Sequence, residues 1–163
     1  SQETGVNLVL PVDLTCSQMT VDQVKKADKV EDKKVYKSSE VPAGWNGYDI
    51  GPESTKQAVD LIGKAQAIFW NGPVGVFESK EFGAGSKGIA KAIAERTKAN
   101  PEVKSVIGGG ETVTAIHKFE AQDDFKQAGI TDETYTHVST GGGAVLDYIK
   151  GEKFDAFKAL DDK

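Results

Sequence analysis

Val106-Ile107-Gly108-Gly109-Gly110-Glu111-Thr112 reads as a short strand that runs into a glycine turn. A helix follows directly, with Val113, Ile116 and Phe119 at helical spacing. Val138-Ser139-Thr140-Gly141-Gly142-Gly143-Ala144 repeats the arrangement ahead of Val145, Leu146 and Ile149. Strands that alternate with helices predict a parallel sheet, since parallel neighbours need a crossover between them. Both turns then fall at the carboxyl edge, where open α/β sheets take their ligands. Bare glycine backbone lets a phosphate approach, and the free N–H groups at a helix start favour its negative charge. Two such turns on neighbouring strands predict a polyphosphate.

Working outward, Ala67-Ile68-Phe69-Trp70 is a third strand that stops at Asn71-Gly72-Pro73. From about Ser86 to Lys98, Ile89, Ala90, Ile93 and Ala94 form a core-facing helical stripe, and Asn100-Pro101 ends it. Gly51-Pro52-Glu53-Ser54 opens another helix, in which Val59 and Ile62 share a face and Gly63 marks the end. The apolar run Asn7-Leu8-Val9-Leu10-Pro11-Val12 predicts a buried strand. Thr15 to Glu40 is undecided: Thr20 and Gln23 have capping-box spacing, but the charges that follow show little apolar periodicity.

Composition narrows the function. At 163 residues the chain suits one domain, and no repeat or linker divides it. Its apolar runs fall short of the roughly 18 residues that span a bilayer, so no membrane role is expected. Residues Ser1 to Gly5 lack a signal pattern, and Cys16 has no internal partner, which predicts a reducing, intracellular setting. A net charge of -5 with mixed signs disfavours nucleic acid. The 18 glycines exceed the average share of about 7% and concentrate at the turns. Only Arg96 is an arginine among 20 basic residues, so a bound anion must be met by backbone N–H groups, lysines or a metal.

Neither turn fits the dinucleotide pattern G-x-G-x-x-G or carries the Lys-Ser/Thr of a P-loop. Glu111 can hold Mg²⁺ while Thr112 meets a phosphate oxygen, or the pair is simply an acidic helix start. His117 and His137 match no metal-ligand spacing and are expected to be structural. Trp45, Tyr48, Trp70 and Phe77 are expected in the core, and no Ser/His/Asp order stands out.

Trp70-Asn71-Gly72-Pro73-Val74-Gly75-Val76-Phe77-Glu78, followed by Gly108 to Gly110 and His137 to Ala144, closely resembles the nucleotide-binding lobe of phosphoglycerate kinases. Leu10-Pro11-Val12-Asp13 and the stretch Gly44 to Ser54 fit the same family, and the likeness runs from about Leu8 to Leu160. It implies an α/β fold with a Rossmann-like doubly wound parallel sheet, partial here, in three α/β/α layers. In the strand order 3-2-1-4-5-6, the run Leu8 to Val12 would be strand 3 and the later three strands 4 to 6. The implied activity is Mg²⁺-dependent phosphoryl transfer between 1,3-bisphosphoglycerate and ADP, giving 3-phosphoglycerate and ATP, in the cytoplasm or an organelle such as a plastid. By the same resemblance Tyr48 would lie near the adenine and Val76 would touch it, Asn71, Gly72 and Pro73 would line the nucleotide site, and Glu78 would accept from the ribose. Gly109, Gly110 and Thr112 would meet the phosphates, Glu111 would ligate Mg²⁺, and Gly141, Gly142 and Gly143 would stabilise the phosphoryl group in flight.

Three departures stand out: Glu111 where the family has Asp, Tyr48 where an aliphatic residue is usual, and a longer segment from Phe119 to Thr136. The amino-terminal, glycerate-binding lobe and the first strands of the nucleotide lobe have no counterpart in these residues. The chain is therefore expected to act with the amino-terminal part of the same enzyme, to transfer nothing alone, and to be poorly folded without the middle strands. A non-catalytic nucleotide-binding or scaffold protein derived from the same lobe is the rival expectation.

Overall fold

The three runs that lead into glycine turns, at Gly72, Gly108 and Gly141, form strands as expected, and the apolar run near the start of the chain does not. A computed structural model describes residues 5–151; residues 1–4 and the stretch from 152 to Leu160 and beyond lie outside them. The elements in order are β1 (Asp13–Ser17), α1 (Val21–Lys26), β2 (Lys34–Lys37), β3 (Asn46–Ile50), α2 (Pro52–Ile62) and β4 (Ala67–Asn71). They continue with α3 (Ala84–Ala99), β5 (Lys104–Gly108), α4 (Gly110–Glu120), α5 (Asp123–Gln127), a 3₁₀ turn (Asp132–Thr134), β6 (His137–Ser139) and α6 (Gly142–Ile149).

The α/β class holds. β4, β5 and β6 form a parallel sheet in that order. Among the described residues β4 has one strand partner, β5, and its other edge is open. Ile89, Ala90, Ile93 and Ala94 of α3 are buried and pack with Trp70, Ile107 and the α4 residues Ile116 and Phe119 in one core cluster. Trp70 and Phe77 are core residues as expected, whereas Trp45 is half-buried, with Tyr36 edge-on at 5.1 Å. The face of α2 packed on this core carries Ala58 and Ile62; Val59 is exposed.

The expected strand over Leu8 to Val12 is not formed. Residues 5–12 take no regular structure, and Leu8 and Leu10 are 69% and 66% exposed. Pro11 has no N–H to give a ladder, and the N–H groups of Val12 and Asp13 donate to Ser54 Oγ on α2 instead. Pairing begins only at Asp13, in a second, antiparallel sheet of order β2-β1-β3. The undecided stretch from Thr15 to Glu40 supplies the end of β1, α1 and β2. Its capping box is real: Gln23 N–H donates to Thr20 Oγ1 and Thr20 N–H to Gln23 Oε1.

Two aspartates on this small sheet hold the helices. Asp13 accepts from the N–H of Glu53 at 3.1 Å and of Ser54 at 2.8 Å, at the start of α2. Burial works to raise its carboxyl, but the Ser54 hydroxyl and these N–H groups outweigh that and hold it below the ordinary range. Asp49 accepts from Gly85 N–H at the start of α3 and from Ile50 N–H, each at 2.9 Å. Asp49 has no cation paired with it among the described residues, and burial pushes its carboxyl up to about 6. Arg96 is structural: its Nε donates to Ala65 O at 3.0 Å.

Because Asp49 binds its proton more tightly folded than unfolded, its stabilising contribution is complete below pH 4 and is lost as pH rises through about 6. Asp49→Asn cannot ionise. Denaturant unfolding from pH 4 to 7.5 should therefore shift the stability difference in favour of the variant by about 2–3 kcal/mol. Parallel pH profiles for the two proteins would show that Asp49 does not titrate in this range.

Candidate functional site

Parallel register sets Asn71, Gly108 and Ser139 side by side at the carboxyl edge of the sheet. The two glycine turns leave from that row. Gly109 has φ +92°, a conformation that favours glycine, and its N–H donates to Ser139 O at 3.0 Å. A Cβ on Gly109 would stand 2.5 Å from Asn71 Oδ1, and one on Gly142 would stand 2.6 Å from the same oxygen and 2.7 Å from Gly109 Cα. The Asn71 side chain and both turns therefore interlock.

The remaining glycines of each run differ. Gly110 and Gly143 are exposed, and among the described residues nothing lies within 4 Å of where their Cβ atoms would be. Gly110 and Glu111 are the first residues of α4, whose leading N–H groups have no partner within the helix. Of the other run, Gly141 N–H donates to Ser139 Oγ at 3.2 Å and Gly142 N–H to Thr140 O at 3.1 Å. One glycine of each run makes the turns fit, and another leaves room beside a helix start.

Thr112 is fully buried, and its hydroxyl accepts from Gly72 N–H at 2.7 Å. It joins the Asn71-Gly72-Pro73 loop to α4. Tyr48, Pro73 and Val76 line one cavity of about 280 Å³ together with Asp49. Tyr48 is partly buried there, its ring edge-on to Phe82 at 5.4 Å and its hydroxyl donating to Met19 O.

Glu78 pairs with Lys25 of α1 at 2.6 Å. Burial works to raise the Glu78 carboxyl, and the hydrogen bond and charge of Lys25 more than offset it, leaving it low. The Lys25 ammonium is held above its ordinary value mainly by Glu78, with Glu111 adding to the field. Lys25 thus contacts one of the two acidic residues expected at the site and feels the charge of the other. It lies in the stretch whose pattern was undecided, and no local motif singles it out. Lys118 fixes the loop backbone by donating to the carbonyls of Phe77 and Glu78 at 2.9 and 2.7 Å. His137 is exposed, whereas His117 does meet carboxylates, contrary to the sequence expectation.

The arrangement offers two helix starts, exposed glycine backbone, the exposed carboxylates of Glu78 and Glu111, and the ammonium of Lys25. Such a set can receive a phosphate chain and a hard cation.

The family model for phosphoglycerate kinase matches residues 1–152. The phosphoglycerate kinase of Fervidobacterium nodosum is 37% identical over 164 aligned positions, covering all of this chain and 36% of that protein. That of Rhodococcus erythropolis is 41% identical over 130 residues, 80% of this chain and 30% of that protein. The solved structure of phosphoglycerate kinase from Coxiella burnetii superposes with a TM-score of 0.77 at 30% identity, over 96% of this chain and 35% of that one. The chain spans about a third of the length of the curated relatives it matches.

The two kinds of glycine should separate on substitution. Gly142→Ala should destabilise the fold by about 1–3 kcal/mol through overpacking, whereas Gly110→Ala should stay within about 0.5 kcal/mol. Thermal unfolding of both variants checks this, and equal losses would contradict the interlock.

Proposed function

The chain belongs to the phosphoglycerate kinase family, and from that premise we propose that residues 1–163 are the carboxyl-terminal part of the nucleotide-binding domain of such an enzyme. On this reading the chain binds ADP or ATP in the cytoplasm and serves the reversible transfer of a phosphoryl group between 1,3-bisphosphoglycerate and ADP, giving 3-phosphoglycerate and ATP in glycolysis. Among the described residues no helix is long and apolar enough to cross a membrane.

The observation that carries this reading is the interlocked pair of glycine turns at one sheet edge, each leaving an exposed glycine at a helix start. The cavity lined by Tyr48, Pro73 and Val76 would take the adenine. Asn71 and Gly72 would border the nucleotide, and Glu78 would accept from the ribose hydroxyls, exchanging part of its contact with Lys25. Gly109 and Gly110 would receive the phosphates, with Thr112 acting through the loop it holds at Gly72. Gly141, Gly142 and Gly143, at the start of α6, would stabilise the phosphoryl group in flight.

Glu111 suits the Mg²⁺ that this chemistry uses. Its side chain is exposed at the first turn of α4 and makes no hydrogen bond among the described residues. One carboxylate is the usual protein contribution to Mg²⁺, whose other ligands are water and phosphate oxygens. When bound, the cation neutralises charge on the phosphates. The acyl-phosphate substrate would be held by the amino-terminal part of the enzyme, since Arg96 is tied to Ala65 O and no arginine cluster exists in this sequence.

Titration with MgADP tests the nucleotide site. Glu78→Ala should weaken binding by about 1–3 kcal/mol, and unchanged affinity would remove Glu78 from it. In the complete enzyme Glu111→Asp should keep or improve ATP formation from 1,3-bisphosphoglycerate, while Glu111→Ala should lose most of it. Equal turnover of wild type and Glu111→Ala at limiting Mg²⁺ would reduce position 111 to a helix-start charge. Saturable MgADP binding with no transfer in the complete enzyme would instead favour a non-catalytic nucleotide-binding protein.

A further inference from the structure

The longer segment after α4 brings a third donor group against two that stand on the helix itself. His117 and Glu120 are three residues apart on α4 and so share one face of the helix. Asp132 reaches them from the first residue of the 3₁₀ turn ahead of β6. One ligand atom from each of the three lies within 4.8 Å of the others. His117 Nε2 and Asp132 Oδ2 are 2.8 Å apart.

A second observation concerns the remaining oxygens. Glu120 Oε1 and Asp132 Oδ1 are both closed off from solvent, and neither has a hydrogen-bond donor among the described residues. Burial, the charge of Asp132 and a hydrogen bond between the two carboxyls push the Glu120 carboxyl above its ordinary range. Buried carboxylate oxygens normally find donors, so two of them unmet in one cluster ask for a cation or a shared proton. Of the two, the donor set favours the cation, because an imidazole stands in the same group.

We propose that His117, Glu120 and Asp132 bind a divalent transition-metal cation of the Zn²⁺ type, at a site independent of the nucleotide and its Mg²⁺. One imidazole nitrogen and two carboxylate oxygens suit a borderline cation, whereas Mg²⁺ favours an all-oxygen shell. Ligands around tetrahedral Zn²⁺ stand about 3.3 Å apart. The His117–Asp132 pair is already near that separation, and Glu120 needs only a small closing movement. Three protein donors leave a fourth position for water. Because the His117 side chain is 55% exposed, the cation has an entry path. Binding displaces the proton shared by His117 and Asp132, together with any carried by Glu120. The cation then ties the end of α4 to the segment that leads into β6 and its glycine turn.

Zn²⁺ alone, titrated calorimetrically into the metal-stripped full chain, tests the site, with Co²⁺ as a spectroscopic probe of the same ligands. One Zn²⁺ per chain is expected, with a rise in melting temperature and a visible Co²⁺ band. His117→Ala and Glu120→Gln should each weaken Zn²⁺ uptake at least tenfold and bleach the Co²⁺ band. The first removes an exposed side chain and the second keeps its shape, so circular dichroism should report both as folded. Glu111→Ala should take up Zn²⁺ like wild type, which separates this outcome from the fate of the nucleotide reading. Absence of saturable Zn²⁺ uptake would overturn the proposal and assign the cluster to a shared proton. Uptake unaltered in both His117→Ala and Glu120→Gln would overturn it as well.

Discussion

Two carboxylates, Asp13 and Asp49, carry the architecture. Each leaves the antiparallel sheet and meets the opening N–H groups of a helix, α2 in one case and α3 in the other. Those helices pack on each other and on the parallel sheet, so the register of the small sheet is passed to the large one. The two ends are solved differently. Asp13 is surrounded by donors, including the Ser54 hydroxyl, and stays readily ionised. Asp49 has fewer donors and more burial, and its charge is the more expensive of the two.

The parallel sheet was legible because β4, β5 and β6 each run into a glycine turn, and because α3 carries an unbroken stripe at helical spacing. The antiparallel sheet was not. Lys34–Lys37 and Asn46–Ile50 are half polar, as strands with one solvated face often are. The more apolar run before them stays unpaired, because a strand exists only where backbone partners exist: Pro11 has no N–H to give, and Ser54 takes the N–H of Val12. Composition alone cannot tell a paired strand from a chain laid along a helix.

The candidate site was legible at the level of motif and not of atom. The glycines of each triplet are chemically identical in sequence, yet Gly142 is crowded by Asn71 and Gly109 while its neighbour Gly143 is open among the described residues. Lys25 and the meeting of His117 with Asp132 were hidden for the same reason: each depends on a long-range approach that no local spacing encodes. His117 and Glu120 did carry the i, i+3 spacing, but their third member arrives from beyond α5.

The contact between Asn71 and the two turns also bears on how this protein can change over time. Positions 71, 109 and 142 fill one small volume from three separate segments. A methyl group at 109 or 142 is barred while asparagine stands at 71, and a smaller residue at 71 would relax part of that ban. Substitutions there are consequently epistatic, and drift can pass through them only in a particular order. Gly110 and Gly143 are under no such steric coupling. Among the described residues nothing steric ties either of them to that order.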